Sequence, residues 1–386
     1  MIETQRPTWA EIALSKLKRN FLNIQARVGE QVEVCAVVKC GAYGHGAVDC
    51  ARALLAAGAR WFAVSSPEEG IALRAAGVVQ PILLLGGFYR EQAKAVVEHE
   101  LTPSIWEEEQ IGYLSRATPK AREYPVHVEI DTGMSRQGVP AAHAVEFLNR
   151  VRTAGNLALE GLSQHYAAGE RMGEGAASRQ EERFASVIQK LRESGVALKY
   201  VHMANSSAAI ARAHILGDAR FAMPGAREMV RCGIALYGYC LPLENKAQGI
   251  APWENAPVLA WKTRVISQRE APPSVGIGYS GAYTTTRTTR IASLPVGYGD
   301  GLNRLLSSRG RVIVRGQFAP IIGNISMDMT LIDVTDVAGA EIGDEVVIIG
   351  EQGGRTIDAW EHAELCRTIP YEILCNIGIR VPRVYP

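Results

Sequence analysis

A lysine ends an apolar stretch of the sequence and is followed by glycines, a tyrosine and a histidine. The stretch reads AVVKCGAYGHGA, and Lys39 is the residue that ends the apolar run. The tail after it is too rich in glycine for the interior of a helix. A neutral lysine amine is a nucleophile toward carbonyl groups, and burial or a nearby cation favours the neutral form. Lys39 therefore either snorkels out of a core or is presented by a strand to a ligand.

Further polar residues follow apolar runs later in the chain. Ser206 begins a helical pattern, so its hydroxyl and the nearby amides can face an anion. Gly233 allows close approach of the backbone. The pattern predicts an amine on one side of a site and a phosphate cradle on the other. The residues concerned are Arg136 in DTGMSRQG, His165 in GLSQHYAAG, Asn205 and Ser206 in HMANSSAA, and Arg231 with Gly233 and Ile234 in MVRCGIALYG.

The elements that must position these residues repeat from about residue 30 to 235. Short β-branched runs alternate with Ala/Leu-rich helical patterns, several of which end in glycine. Eight such units predict a (β/α)8 TIM-type barrel, with a doubly wound open sheet as the alternative. In a barrel, the polar residues above gather at one rim, since they follow the first, fifth, sixth, seventh and eighth strands. The runs are VEVCAVV, WFAVS, PILLL, LTPSI, PVHVEI, LALEGLS, KYVHM and EMVRCGI.

The sequence changes character after Tyr239. The stretch LPLENKAQGIAPWENAPV is polar and rich in Pro and Gly, as a linker would be. From Val258 onward short strand-like runs dominate, with a single helical pattern near DAWEHAELC. A chain of 386 residues favours two domains. We therefore expect a barrel domain over residues 1–241 and a mostly β C-terminal domain over residues 242–386.

Composition narrows the classes of partner. The formal net charge is +1, without a long run of one sign, so we expect no nucleic acid and no membrane surface as partner. No apolar run is long enough to span a membrane, and the N-terminus lacks an apolar signal core. The seven cysteines form no CxxC motif and are odd in number, which favours free thiols in a reducing cytoplasm over disulfides. No metal site is predicted.

An amine, a phosphate cradle and a polar group for a ring nitrogen are what pyridoxal 5'-phosphate requires of a protein. With these residues, the sequence closely resembles the alanine racemase family of fold type III, over almost the whole chain. The motifs that carry the resemblance are RPTWAEI, AVVKCGAYGHGA, DTGMSRQG, HMANSSAA, VRCGIALYG, GYS, LPVGYGDG, ISMDM and YEILCNIGIRVPR.

The resemblance implies a two-base racemisation that interconverts L-alanine and D-alanine and supplies D-alanine for peptidoglycan. Lys39 matches the lysine that holds the cofactor as a Schiff base. Tyr279, in GIGYSGAY, matches the second base, which the family takes from the other subunit of a homodimer. His165 matches a histidine that hydrogen-bonds this tyrosine.

The resemblance also implies the remaining contacts. Arg231 matches the arginine that faces the pyridine nitrogen and keeps it unprotonated. Arg136 matches an arginine near the cofactor's phenolic oxygen and the substrate carboxylate. The other matches are the cofactor contacts Tyr43, Asn205, Ser206, Gly233, Ile234 and Tyr371, the substrate contacts Met327 and Tyr298, and the entry-corridor positions Arg304 and Glu170.

Two positions depart from the pattern. Glu129 stands where many relatives have a carbamylated lysine, and we expect its carboxylate to contact and hold Arg136 directly. Asn324, in IGNISMD, stands where relatives often have arginine, which leaves the breadth of substrates open.

Three other functions remain to be weighed. A decarboxylase of basic amino acids on this scaffold usually has a carboxylate at the ring nitrogen, and Arg231 argues against it. A non-catalytic, single-domain pyridoxal-phosphate-binding protein lacks the β domain and a counterpart of Tyr279. A broad-specificity or serine racemase shares all of the chemistry and is the live alternative.

Overall fold

The computed structural model describes residues 6–171, 175–211, 216–241 and 256–386, which form two compact units. The barrel unit comprises the described parts of Leu17–Ala42 and Ala47–Ala256. The strand-rich unit comprises those of Met1–Lys16, Tyr43–Gly46 and Pro257–Pro386. Most of the predicted linker LPLENKAQGIAPWENAPV, at positions 242–255, lies outside the described residues. The described chain opens with strand β1 (Thr8–Ile12) and helix α1 (Leu14–Val28).

Eight parallel strands close into a barrel, as the sequence predicts, because β5 pairs with β6 and completes the circle. An open doubly wound sheet is thereby excluded. The strands are largely buried, which accounts for their near-continuous apolar runs. They are β2 (Glu33–Val37), β3 (Trp61–Val64), β4 (Ile82–Leu84), β5 (Thr102–Ile105), β6 (Tyr124–Asp131), β8 (Leu157–Gln164), β9 (Tyr200–His202) and β10 (Arg227–Cys232), while the short β7 (Val139–Pro140) extends the edge of β6.

Helices connect the barrel strands. Ser66 caps the helix that begins at Pro67, and Glu69 completes the capping box. The predicted glycine stops are confirmed, since Gly58, Gly77, Gly155 and Gly195 all have positive φ. The helices are α2 (Ala47–Ala56), α3 (Pro67–Ala75), α4 (Ala93–Glu98), α5 (Glu108–Ala117), α6 (Ala144–Thr153), α7 (Gly175–Glu193) and α8 (Ser206–Ala211).

The second unit is mostly β, as predicted, and has two helices where the sequence pattern indicates one. Its strands are β11 (Leu259–Arg264), β12 (Ser267–Ala271), β13 (Gly276–Ile277), β14 (Tyr283–Thr284), β15 (Thr289–Leu294), β16 (Arg311–Val314), β17 (Gln317–Pro320), β18 (Thr330–Asp333), β19 (Glu345–Gln352), β20 (Arg355–Ile357) and β21 (Arg383–Val384). Its helices are α9 (Ala359–Cys366) and α10 (Pro370–Cys375).

Strand β1 lies inside the main sheet of the strand-rich unit, whose order is β17-β16-β19-β11-β1-β21. It runs antiparallel to β11 and parallel to β21. Thr8 and Thr263 join their hydroxyls across the first of these pairings at 2.8 Å. No helix among the described residues is long and apolar enough to cross a membrane.

Candidate active site

Lys39 follows the first barrel strand and begins a left-handed turn. Cys40, Gly41 and Ala42 have φ between 54° and 60° and ψ between 39° and 49°, and Tyr43 continues with φ 53°. Successive left-handed residues are rare for L-amino acids and persist only where the surroundings hold them. The amide of Ala42 donates to the carbonyl of Val38 at 2.9 Å. The strand therefore ends abruptly and leaves the half-buried Lys39 side chain at its carboxyl end.

The glycines after Tyr43 are required by close packing inside the strand-rich unit. A Cβ at Gly44 would lie 2.2 Å from the carbonyl oxygen of Leu374, and one at Gly46 would lie 2.0 Å from the hydroxyl of Tyr385. Both glycines also have positive φ. The close approach brings Tyr43 beside Tyr371, with ring centroids 6.1 Å apart. These two predicted cofactor contacts are thus neighbours.

Arg231 lies on the last barrel strand with its guanidinium fully surrounded by protein. Its Nη1 donates to Nδ1 and to the carbonyl of His202, at 2.6 and 3.0 Å, and its Nη2 donates to the carbonyl of Gln164 at 2.8 Å. These acceptors are neutral. Burial lowers the pKa of Arg231, and the negative charge of Glu129 opposes that effect. The side chain is therefore a fixed cation held in one orientation.

His165 is the link between Arg231 and the rim. Its Nδ1 accepts from Nη2 of Arg231 at 3.3 Å, so a neutral His165 carries its proton on Nε2. Burial lowers the pKa of His165 well below its usual value, and the positive charges of Arg231, Arg136 and Lys39 lower it further. The ring is consequently a neutral donor with three of the predicted site cations around it.

The predicted phosphate cradle is assembled from two adjacent barrel strands. The hydroxyl of Ser206 accepts from the amides of Gly233 and Ala235 at 2.9 and 3.3 Å. Asn205 caps α8, because its side-chain oxygen accepts from the amide of Ala208 at 3.1 Å. Ile234 begins a short 3-10 turn directly after Gly233. The two amides thus hold the Ser206 oxygen in place and leave its own O–H to donate to an anion.

The expected contact between Glu129 and Arg136 is wrong for the described residues, among which no ion pair joins them. Glu129 is buried at the end of β6 and accepts from Nε2 of Gln137 at 3.1 Å. Burial raises the pKa of Glu129, whereas Arg231 and then Arg136 lower it. Arg136 is exposed on a loop that the Asp131 carboxylate holds through the amides of Gly133 and Ser135. The charge of Arg136 thus acts on Glu129 without an ion pair between the two side chains.

The predicted residues of the C-terminal half cluster on an exposed face of the strand-rich unit. The side chains of Tyr279, Met327 and Tyr298 are 71%, 53% and 44% exposed. The amide of Gly299, next to Tyr298, donates to the carbonyl of Met327 at 2.9 Å. Asn324 donates its side-chain amide to the carbonyl of Tyr279 at 3.1 Å. Arg304 is also exposed on this unit, and Glu170 is half-buried on the barrel unit.

Sequence reasoning missed the residues beneath Arg231. His202 and His127 are wholly buried in barrel strands, and Gln164 supplies a carbonyl to Arg231. The available signal was Gly161 in LALEGLS, since glycine inside a strand marks a close approach by a neighbour.

A closed (β/α)8 barrel with a lysine after its first strand, a buried arginine on its last strand and an anion cradle beside it defines the class of barrel enzymes that hold pyridoxal phosphate. Models of two families match this chain: "Alanine racemase, N-terminal domain" over residues 12–241 and "Alanine racemase, C-terminal domain" over residues 258–385. The chain belongs to the alanine racemase family of pyridoxal-phosphate-dependent isomerases.

Individual relatives agree over the full length. The alanine racemase of Halothermothrix orenii is 41% identical over 381 residues, which cover 98% of this chain and 97% of that protein. The solved alanine racemase of Clostridium difficile has a TM-score of 0.89 at 31% identity, covering 100% of this chain and 97% of that one. The alanine racemase of Bartonella henselae, solved with covalently bound pyridoxal phosphate, has a TM-score of 0.83 at 28% identity and covers 98% and 99%.

Proposed function

We propose that this protein interconverts L-alanine and D-alanine with pyridoxal 5'-phosphate, acts in the cytoplasm and supplies D-alanine for peptidoglycan. One observation carries the proposal. The half-buried amine of Lys39, the buried guanidinium of Arg231 and the Ser206 hydroxyl, which the Gly233 amide holds, all belong to strand ends of one barrel. These are the groups that an aldehyde, a pyridine nitrogen and a phosphate require.

The residues present fit the cofactor. Lys39 would hold its aldehyde carbon covalently, and Ser206, Gly233 and Ile234 would hold its phosphate with Asn205 shaping the loop. Tyr43 and Tyr371, adjacent in the strand-rich unit, would complete the phosphate contacts. When bound, the cofactor delocalises the electron pair that remains after an α-proton is removed from the amino acid.

Arg231 controls how far that delocalisation goes. A guanidinium donates hydrogen bonds and accepts none, and its charge opposes a second positive charge nearby in a poor dielectric. A ring nitrogen that faced Arg231 would therefore stay unprotonated. The orientation of the guanidinium matters for this role, and four acceptor atoms of His202, Gln164 and His165 fix it.

Racemisation needs a proton donor and a proton acceptor on opposite faces of the α-carbon. We assign these roles to Lys39 and to Tyr279 of the partner subunit in a homodimer. The 71% exposure of Tyr279 in a single chain is what a residue that serves another subunit requires. His165, with its proton on Nε2, would donate to the phenolic oxygen of this tyrosine. The substrate carboxylate would be bound by Arg136 and by the Met327 amide, with Tyr298 at the entrance.

Asn324 favours a second candidate, a broad-specificity or serine racemase. Its neutral side chain is tied to the carbonyl of Tyr279, so it adds no positive charge beside the base. Amino-acid substrates with larger or polar side chains are then discriminated against less by charge at this position.

The proposal is tested by measuring racemisation of alanine, serine, lysine and arginine by chiral chromatography. We expect alanine to react fastest and Lys39→Ala to lose at least about a thousandfold in kcat. Borohydride reduction followed by peptide mass spectrometry should place a cofactor adduct on Lys39. Lys120→Ala, which changes an exposed lysine outside the site, is the control. Full activity in Lys39→Ala, or an adduct on another lysine, would overturn the assignment.

A further inference from the structure

A line of buried polar side chains runs from Arg231 through the interior of the barrel unit. Nη1 of Arg231 lies 2.6 Å from Nδ1 of His202, and Nε2 of His202 lies 2.8 Å from Nδ1 of His127. Nε2 of His127 lies 3.5 Å from a carboxylate oxygen of Glu160, whose other oxygen lies 2.9 Å from Nζ of Lys199. The two imidazoles are buried, whereas Lys199 is exposed.

The two ends of this line determine where its protons lie. Arg231 can only donate, so Nδ1 of His202 accepts and His202 carries its proton on Nε2. That proton is donated to Nδ1 of His127, which must therefore be unprotonated. The proton of a neutral His127 is then on Nε2, facing the carboxylate of Glu160.

Glu160 is the group that faces the last proton in this line of side chains. Among the described residues, Nε2 of His127 makes no hydrogen bond of standard geometry, and a carboxylate oxygen of Glu160 lies 3.5 Å from it. Burial raises the pKa of Glu160, but contacts with His127 and Lys199 outweigh it and leave the pKa below its usual value. Burial lowers the pKa of both His127 and His202. An ionised carboxylate beside two neutral imidazoles is the state that agrees with the two short contacts and with the 3.5 Å approach of Glu160 to His127.

The backbone leaves a space for His127. Gly161 is the direct neighbour of His127 across the β6–β8 pairing, where the register shifts. A Cβ at Gly161 would lie 2.4 Å from Nδ1 of the His127 ring. Trp61 and Tyr200 enclose the ring from other strands, with centroids 5.5 and 6.0 Å away. The ring position is therefore fixed by shape as well as by hydrogen bonds.

We propose that Glu160 and His127 are positioning residues that fix the tautomer of His202 and thereby the orientation of the Arg231 guanidinium. The inference rests on the proposed function only in that Arg231 faces the cofactor. Without Glu160, His127 can move its proton to Nδ1, where it meets the Nε2 proton of His202. Relief of that clash requires His202 to turn away from Arg231 or to present a proton to it.

The test compares Glu160→Leu and Glu160→Gln with the wild-type holoenzyme. Glutamine retains a carbonyl acceptor for the Nε2 proton of His127 and should preserve both tautomers. Leucine has no acceptor and should not. Solid-state nitrogen NMR of histidine-labelled protein, assigned with His127→Asn, should find both rings as Nε2–H tautomers in the wild type and in Glu160→Gln. Glu160→Leu should show an Nδ1–H signal, with kcat lowered about tenfold and KM nearly unchanged, as for loss of an outer support of a reacting group.

Glu33→Leu is the matched control. Glu33 is another buried barrel carboxylate, paired with Arg60 and Arg227 and without contact to the histidines. It should change stability without changing tautomers or kcat. If Glu160→Leu does not fold, Gly161→Ala displaces the same ring and replaces it in the test. Wild-type tautomers in Glu160→Leu, or in Gly161→Ala where that variant replaces it, would overturn the inference even with active enzyme. Absence of racemisation in the wild type would instead overturn the proposed function.

Discussion

The buried guanidinium of Arg231 has only neutral acceptors in direct contact, so the balance of its charge depends on groups farther away. Burial lowers its pKa, and the largest opposing charge is Glu129. Glu129 is itself buried and hydrogen-bonded to Gln137 rather than paired with a cation. The carboxylate therefore acts on Arg231 through the interior, where charge effects are weakly screened.

Replacing Glu129 with glutamine preserves its shape and removes its charge. Burial outweighs the attraction of Arg231 and leaves the pKa of Glu129 raised, so its charge costs the folded state free energy, and we expect the variant to be more stable than the wild type by about 1 kcal/mol at neutral pH. Urea unfolding of the purified protein measures this. The exposed Glu123→Gln, just before the same strand, is the control and should be neutral within about 0.5 kcal/mol. A loss of stability in Glu129→Gln would instead show that the attraction between Glu129 and Arg231 outweighs the cost of burying the carboxylate.

For individual residues, the sequence predicts those at the carboxyl ends of the barrel strands better than those in the barrel interior. The positions of Lys39, His165 and Arg231 follow from the rule that barrel sites lie at the carboxyl ends of strands. His127 and His202 are not predictable in this way, because their meeting depends on the register between strands. The ion pair of Glu129 with Arg136 is also not predictable from strand ends, since Glu129 accepts a hydrogen bond from Gln137 instead.

Among the elements, the left-handed turn after β2 has the least common backbone conformation. It leads into Gly44 and Gly46, whose close packing against Leu374 and Tyr385 places Tyr43 beside Tyr371. The turn thus connects the lysine to a segment that belongs to the other unit.

Substitution of Gly44 by alanine separates close packing from conformational preference. Gly44 and Gly29 both have positive φ, at 83° and 89°, but nothing lies within 4 Å of a Cβ at Gly29. We expect Gly29→Ala to lose about 1 kcal/mol of stability and Gly44→Ala at least about 3, since backbone must move. Thermal unfolding measures both. Similar losses would mean that the contact with Leu374 is easily relieved.

Helix α9 carries a buried titrating group. Burial lowers the pKa of His362 to about 4, against weaker opposing effects of Glu361 and Asp358. Between pH 6.5 and about 4 the unfolded chain binds a proton that the folded chain does not, so stability falls as the pH falls. His362→Gln should reduce this slope by about 1.4 kcal/mol per pH unit within that window. Urea midpoints at several pH values test it, with the exposed His143→Gln as control; an unchanged slope would contradict the prediction.

Element prediction succeeds where patterns are long or repeated. All eight barrel strands appear where β-branched runs predict them, because burial on both faces leaves an apolar run that is hard to miss. Helix α10 is missed because six residues within a β-rich region give too little periodicity.

For the whole molecule, the proposed composite site makes a sharp prediction about mixed dimers. Lys39→Ala and Tyr279→Phe should each be inactive alone. If Tyr279 serves the other subunit, each heterodimer has one intact site, and random mixing should restore about a quarter of wild-type activity. Co-expression with distinct tags and a racemisation assay measures this. Heterodimers without activity would place both bases in one subunit.

Strand β1 has a consequence for biosynthesis. It is translated near the start of the chain, yet its sheet neighbours β11 and β21 emerge from the ribosome some 250 and 370 residues later. Throughout that interval β1 has neither of its sheet neighbours to pair with, while the barrel strands are synthesised in order. Assembly of the nascent chain can therefore proceed strand by strand for the barrel, but β1 is fixed in its sheet only after β11 and β21 have been synthesised.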